Sequence, residues 1–223
     1  MITSAQEDNL KFIIAHYGTH PVFHRHTRNG LGAGEPLTIA SIKLLIEGIN
    51  SEELDYEPLN FKGVIPKGVL RFSTQYRELI FCTPPQVKKL KFDQNLPILE
   101  HNYPLPTLIW KLEDKSLSIF ASKENNIAEI TADTKLYQAP FLNTSESGRV
   151  CMGSAVITDA DSYEEFIFNT KQAFFNSVFT HTNADNLVKG NIVEMYHQQR
   201  ANNKTSFNNE LLIDTKTTVN DIF

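Results

Sequence analysis

Four short β-type runs follow one another between residues 69 and 120, and their spacing limits how they can be connected. The runs, rich in Val, Leu, Ile, Phe and Trp, are residues 69–72, 79–82, 107–110 and 117–120. Successive runs lie too close in sequence for the helical crossovers that parallel strands need. Asp114-Lys115 between the last two runs is typical of a hairpin turn. We therefore predict a meandering antiparallel sheet.

The N-terminal part carries two more β-type runs, residues 10–15 and 22–26, followed by the turn-forming Asn29-Gly30-Leu31-Gly32-Ala33-Gly34. This pattern predicts a strand pair with a glycine-rich connection. The glycine-rich segment lacks the Lys-Ser/Thr pair and the spacing of a nucleotide-binding loop, so we predict no nucleotide cofactor here.

Three segments have the apolar spacing of amphipathic helices. The first begins after Thr38, a plausible N-cap, and extends to about Ile49. The second follows the capping-box signature Ser162-x-x-Glu165. Its apolar stripe consists of Tyr163, Phe166, Ile167, Thr170, Phe174 and Val178. A third candidate covers residues 187–199, and an Asn-rich loop then leads to Leu211-Leu212-Ile213, which either packs back or frays.

The order of these elements predicts a single α+β domain over residues 1–223, with an antiparallel meander sheet and flanking helices. Its 41% hydrophobic residues suffice for a core, which excludes a disordered or collagen-like chain. No repeat or Gly/Ser linker divides it. We assign residues 1–60 to an N-terminal elaboration, 61–200 to the core and 201–223 to a C-terminal tail.

The charge balance disfavours a broad nucleic-acid surface, because 21 basic and 26 acidic residues give a formal net charge of −5. A local basic stripe at Arg25, His26 and Arg28 is better interpreted as a solvated edge. The start of the chain lacks the pattern of an export signal, and no run approaches the length of a membrane span. We therefore expect a soluble, cytoplasmic protein without a disulfide.

A cluster of four histidines raises the possibility of a metal site, since imidazole is a common zinc ligand. The four are His16, His20, His24 and His26. No neighbouring cysteine or carboxylate completes a ligand set, so a solvated strand edge is the favoured interpretation and no metal is predicted.

The segment with the clearest chemical content places Cys151 at the end of a polar loop. An accessible thiol there becomes a nucleophile if its thiolate is favoured by Arg149 or by loop amides. Asn143 supplies an amide donor for an oxyanion formed on Cys151, and Gly148 permits the positive φ that folds Asn143 back toward the sulfur. The alternative is a buried, structural Cys151, which is the role we assign to Cys82.

The spacing Asn-x-x-x-x-Gly-x-x-Cys, from Asn143 through Gly148 to Cys151, resembles the active-site segment of ubiquitin-conjugating enzymes, in which the asparagine closes a His-Pro-Asn tripeptide. Much of the chain, residues 31–181, is similar to a prokaryotic branch of that superfamily, the PRTRC system protein B family. The matching stretches are Leu31-Gly32-x-Gly34-x-Pro36-Leu37-Thr38, Ala139-Pro140-Phe141-x-Asn143, Gly148-Arg149-Val150-Cys151-x-Gly153 and Ala173-Phe174-Phe175-x-Ser177-x-Phe179-Thr180-His181.

The resemblance implies a core of the ubiquitin-conjugating (UBC-like) fold and a thioester between Cys151 and the C-terminus of a ubiquitin-like protein. It implies three partners encoded in plasmid-borne or mobile gene sets: a ubiquitin-like protein, a ThiF-type adenylating enzyme and a JAB-type metallopeptidase. ATP is consumed by the adenylating enzyme, so this chain needs no cofactor.

The sequence departs from the eukaryotic pattern in three places. Phe141-Leu142 stands where His-Pro precedes the asparagine, the leading helix is missing, and more than half of the chain precedes the motif. The acidic gate residue beyond the cysteine is not clearly matched; His181 or Asp185 stands in that region. A capping cation at the end of a helix is the alternative role for His181.

Two other functions remain open from the sequence. A non-catalytic adaptor of the same fold would hold a ubiquitin-like protein or another component of the system, and the missing His-Pro favours it. A DNA-partition factor follows only from the genetic setting, and the net charge of −5 disfavours it.

Overall fold

The chain forms two compact units, Met1–Glu57 and Pro58–Phe223. A computed structural model describes residues 12–17, 20–27, 30–38, 41–42, 61–73, 77–114, 116–180 and 187–223.

The N-terminal unit contains the predicted strand pair. Strands β1 (Phe12–Tyr17) and β2 (His20–Thr27) run antiparallel. Two short strands, β3 (Gly30–Leu31) and β4 (Glu35–Pro36), then pair antiparallel with β2. The glycine-rich segment follows these two strands, where the sequence places it, and folds back onto β2.

The close approach of this segment to β2 explains why residue 34 is a glycine. A Cβ added at Gly34 would lie 2.6 Å from Val22 Cγ1. The ring Nδ1 of His24 forms a 3.0 Å hydrogen bond with the Gly32 carbonyl. Among the described residues, no group of three or more His, Cys, Asp or Glu side chains is arranged to hold a metal ion.

Thr38 caps a helix as predicted. Its Oγ1 accepts from the Ser41 N–H at 3.1 Å, and its carbonyl accepts from the Ile42 N–H at 2.9 Å. The remainder of the predicted helix lies outside the described residues.

The described residues of the larger unit form nine strands. In chain order they are β5 (Val69–Ser73), β6 (Glu78–Thr83), β7 (Gln86–Phe92), β8 (His101–Leu105), β9 (Thr107–Glu113), β10 (Ser116–Ser122), β11 (Lys135–Gln138), β12 (Val178–Phe179) and β13 (Asp214–Thr218).

Six of these strands form one antiparallel sheet in the order β13-β11-β10-β9-β6-β5. The four runs that predicted a meander are neighbours in this sheet, which confirms that prediction. Glu113 pairs with Ser116 across the β9–β10 turn, and Asp114 in that turn has φ 50°, so the hairpin predicted at Asp114-Lys115 is confirmed. Strand β13 comes from the C-terminal tail, which packs back rather than fraying.

A second sheet has the order β12-β7-β8. Strands β7 and β8 form a hairpin that lies between β6 and β9 in the sequence but outside the large sheet. Strand β12 runs parallel to β7, with Val178 opposite Lys91. The sequence did not predict this hairpin because β7 carries three lysines and β8 contains a proline.

Two α-helices are present in the part of the larger unit that the structure describes. Helix α1 spans Tyr163–Phe175, and Ser162 Oγ accepts from the Glu165 N–H at its start. Val178 was predicted to extend this helix; that is wrong, because the helix ends at Phe175 and Val178 lies in β12. Helix α2 spans Ile192–Ala201, starting later than predicted because Asn191 caps it.

The core lies between α1 and the large sheet. The Trp110 ring on β9 is fully buried, lies parallel to Phe81 at 5.6 Å and meets Phe174 and Phe175 of α1 edge-on. Such offset and edge-to-face contacts are the favourable arrangements of aromatic rings. The antiparallel sheets and the two helices confirm the α+β class. Within the described residues, no helix combines the length and apolarity needed to cross a bilayer.

Candidate active site

The loop that follows β11 brings Asn143 and Cys151 together through the main chain. The Cys151 N–H donates to the Asn143 carbonyl at 2.8 Å, and Thr144 forms an isolated antiparallel bridge with Val150. A turn closed by the Gly148 N–H and the Ser145 carbonyl at 2.9 Å reverses the chain between them. The loop therefore ends with Cys151 exposed to solvent.

Gly148 has the positive φ that its place in the loop requires, +79°. An added Cβ would lie 2.6 Å from Phe120 Cε1 and 3.1 Å from the Ile119 carbonyl. The Gly148 carbonyl accepts from the Ile119 N–H at 2.8 Å. The loop thus packs tightly against β10, and both the backbone conformation and the space favour glycine.

Phe141 and Leu142, which stand where His-Pro is found in the eukaryotic pattern, are core residues. Their exposed fractions are 0% and 1%. The Phe141 ring meets Phe174 edge-on at 4.9 Å and lies nearly parallel to Phe179 at 5.8 Å. Packing against α1 and β12 therefore fixes the start of the loop.

The Asn143 carboxamide is buried, with 6% of the residue exposed. Its Nδ2 donates to the Val178 carbonyl at 3.4 Å, and its Oδ1 accepts from the Thr180 N–H at 3.2 Å. The sequence predicted that this side chain turns toward the sulfur. In the structure these two bonds link it to residues 178–180, while its main-chain carbonyl holds Cys151.

Cys151 and Asn143 line the same groove, a cavity of about 610 Å³. One wall is formed by residues 152–156 and Thr158. They belong to the segment after the cysteine, residues 152–161, which we call the strap. The other wall is the second half of α1 and the residues that follow it. The helix side presents Asn169, Gln172, Ala173 and Asn176.

Three contacts hold the far end of the strap. Asn169 Nδ2 donates to the Thr158 carbonyl at 3.2 Å. Arg77 Nη2 forms a 2.8 Å ion pair with Asp159 Oδ1. The Asp161 carbonyl accepts from the Lys62 N–H at 2.6 Å. These contacts fix the far end of the strap relative to α1 and to the segment before β5.

The second thiol has a different environment. Cys82 lies on β6 with 5% exposed, and its Sγ–H donates to the Gly68 carbonyl at 3.3 Å. Burial raises the pKa of the Cys82 thiol to about 11. This thiol stays protonated near neutral pH, whereas the Cys151 thiol is in contact with solvent.

His181 and Asp185, the sequence candidates for the position beyond the cysteine, lie outside the described residues. Sequence reasoning missed the amide side chains of α1 that face the groove. Their i, i+3, i+7 spacing at Asn169, Gln172 and Asn176 was the available signal, because residues so spaced share one helix face.

The fold and the site define an α+β protein that presents an exposed cysteine beside a polar groove. The family model for prokaryotic E2 family D matches residues 49–217, and the chain belongs to this E2-like family. Membership suggests, at a general level, a ubiquitin-conjugating-like role together with ubiquitin-like proteins and their activating enzymes. Comparisons with curated proteins and with solved structures gave no match.

Proposed function

We propose that Cys151 accepts the C-terminus of a ubiquitin-like protein as a thioester and passes it to an amine. The observation that carries this proposal is the contrast between the two cysteines: Cys151 is exposed in the groove, and Cys82 is buried. Membership in prokaryotic E2 family D supports it independently.

The transfer needs no ATP at this chain. The Cys151 thiolate attacks the carbonyl carbon of the thioester on the adenylating enzyme, and the new C–S bond forms as the old one breaks. The leaving thiolate takes up one proton, which balances the proton released by Cys151. An amine later attacks the Cys151 thioester and releases the thiol.

Asn143 has two tasks in this proposal. Its main-chain carbonyl positions Cys151, and its carboxamide is the donor to the oxyanion formed during each transfer. The bond from Nδ2 to the Val178 carbonyl fixes the orientation of the carboxamide before reaction. Gly148 is a positioning residue, because it lets the loop pack on β10.

We also propose that the chain has a UBC-like fold and is of the PRTRC system protein B type. Its proposed partners are a ThiF-type adenylating enzyme and a JAB-type metallopeptidase. Membership in prokaryotic E2 family D supports the UBC-like fold. The burial of Phe141 and Leu142 is compatible with such a site, because packing holds the loop where the eukaryotic pattern has His-Pro. His181, close after Thr180 in sequence, is the proposed base for the incoming amine.

The test is intact mass after incubation with ATP, the adenylating enzyme and the ubiquitin-like protein of the same gene set. We expect a reductant-labile adduct that maps to Cys151. Cys151→Ser should give a reductant-stable oxyester or no adduct, and Cys151→Ala none. An unchanged labile adduct in Cys151→Ser, or no adduct when the adenylating enzyme is charged, would overturn the proposal.

A non-catalytic adaptor of the same fold is the second candidate. It is favoured by the side-chain bonds of Asn143, which go to residues 178–180 as in a structural cross-link. An adaptor would retain a ubiquitin-like protein on a column equally well in wild type and in Cys151→Ala, without any adduct. A carrier would show the adduct and lose it in that variant.

A further inference from the structure

The groove beside Cys151 has a distinctive chemical lining. Fifteen described residues line it, and among their side chains the Cys151 thiol is the sole ionisable group. The rest are carboxamides, hydroxyls and small or apolar groups, although the chain as a whole carries a net charge of −5. A ligand in this groove therefore meets hydrogen-bonding groups rather than fixed charges.

Three carboxamides form a row along the groove face of α1, which we call the amide row: Asn169, Gln172 and Asn176. Asn176 Nδ2 donates to Gln172 Oε1 at 3.1 Å, and Asn169 Nδ2 donates to the strap. These bonds orient the amide groups. A carboxamide carries both a donor and an acceptor, as a peptide unit does, so the row matches the main chain of an extended peptide.

The length of the row sets the length of the segment it can bind. Asn169 and Asn176 are seven positions apart, which at a rise of about 1.5 Å per position is about 10 Å. An extended peptide rises about 3.3 Å per residue, so the row accommodates about three residues. Small residues on the strap, Gly153, Ser154 and Ala155, leave room opposite the row.

We propose that this groove selects a modifier whose last three to four residues are extended and uncharged. The inference rests on the proposed function, since it names the kind of C-terminus that Cys151 receives. A cationic or anionic side chain in these positions would lose water without gaining an ion partner from the described lining. Uncharged side chains lose less hydration free energy on entering the groove, and the peptide main chain forms hydrogen bonds with the amide row.

The test uses short peptide thioesters, which transfer their acyl group to Cys151 and release a small thiol without ATP. Three acetylated tetrapeptides ending in glycine differ only at the third residue from the end: threonine, arginine or glutamate. Adduct formation on Cys151 is followed by intact mass. We expect the threonine peptide to react at least about fivefold faster than either charged peptide, after division by each peptide's rate with free glutathione.

Gln172→Glu provides the charge test, because residue 172 is exposed at the middle of the row. This variant should favour the arginine peptide over the threonine peptide and reject the glutamate peptide more strongly. Ser206→Glu adds the same charge at an exposed site that does not line the groove, and should leave the wild-type order unchanged.

The outcomes separate the two proposals. Equal corrected rates for all three peptides, or the same order in Gln172→Glu as in wild type, would overturn the uncharged-tail inference while leaving Cys151 a thioester carrier. No adduct on Cys151 with any peptide, nor with acetylglycine thioester, would overturn the proposed function itself.

Discussion

The main-chain N–H of Cys151 is bonded to the main-chain carbonyl of Asn143 at 2.8 Å. These residues are eight positions apart, and the bond closes the loop between them. The spacing of asparagine, glycine and cysteine is thus a geometric requirement, because the turn between Ser145 and Gly148 must return the chain in register. Inserting or deleting one residue would break this register.

Gly148→Ala should destabilise the protein strongly. The residue has φ +79°, and its Cβ would lie 2.6 Å from the Phe120 ring. The left-handed conformation costs about 1–2 kcal/mol and overpacking about 1–3 kcal/mol, so we expect the free energy of unfolding to fall by roughly 2–5 kcal/mol. Urea unfolding followed by tryptophan fluorescence measures the change.

Gly153→Ala is the matched control for that measurement. Gly153 has φ +56° but no atom within 4 Å of an added Cβ. The free energy of unfolding of Gly153→Ala should therefore fall only by the cost of the left-handed backbone conformation, about 1–2 kcal/mol. Equal losses in the two variants would show that the contact with Phe120 is unimportant.

Asn143→Ala should lower both stability and transfer rate, for separable reasons. Truncation removes a buried carboxamide that bonds the Val178 carbonyl and the Thr180 N–H, and leaving such groups unsatisfied costs about 1–3 kcal/mol. Loss of an oxyanion donor lowers the rate by about 10²–10³-fold.

Adduct formation measured well below the unfolding midpoint distinguishes the two roles of Asn143. A stability loss with an unchanged rate would assign it a purely structural role. Thr144→Ser is a control for disturbance of the loop, because it keeps the hydroxyl that donates to the Phe141 carbonyl at 2.6 Å.

The two thiols should differ in alkylation. Cys151 is exposed, whereas burial raises the pKa of Cys82 to about 11. At pH 8 a thiol with that pKa is about one-thousandth thiolate, so iodoacetamide should label Cys151 and spare Cys82 in the folded chain. Peptide mapping before and after unfolding in guanidinium measures the ratio. Comparable labelling in the folded protein would contradict the burial of Cys82.

The same pKa shift predicts a pH dependence of stability. The folded state holds the Cys82 proton more tightly than the unfolded state, in which the thiol titrates near 9.0. The stabilisation is therefore fully present below pH 9 and is lost as pH rises from 9 toward 11. Cys82→Ala should remove this part of the pH dependence, as measured by urea unfolding at several pH values.

Local sequence signals predicted the elements whose formation depends on local interactions. The four apolar runs, the Asp114 turn and the Ser162 cap all have short-range causes, and all are present. Strand β12 has no such signal, because it exists through pairing with β7, far away in sequence. The sequence placed Val178 in α1 because its apolar spacing fits a helix. The helix ends before it, with Asn176 as the C-cap.

The candidate site shows the same division. The motif spacing located Asn143, Gly148 and Cys151 in one loop, because their association depends on a single turn. The partners of the Asn143 carboxamide, residues 178–180, depend on how α1 returns to the sheet. The spacing of the amide row along α1 shows which residues share a helix face. It does not show that the neighbouring strap, which has no regular pattern, lies on the other side of the groove.

Asp159→Asn should loosen the strap while barely changing global stability. Asp159 pairs with Arg77 at 2.8 Å, but its side chain is 74% exposed, so the pair contributes under about 1 kcal/mol. We expect amide hydrogen exchange to rise several-fold in residues 152–161 and to stay constant in α1. Added salt should raise exchange in the wild-type strap by screening the pair, and should have little effect in the variant.

Asp161→Asn makes the same charge change two residues away, where the contact with Lys62 uses the main chain, and should resemble wild type. Equal exchange in Asp159→Asn and wild type would show that the Asn169 bond to Thr158 is sufficient to hold the strap.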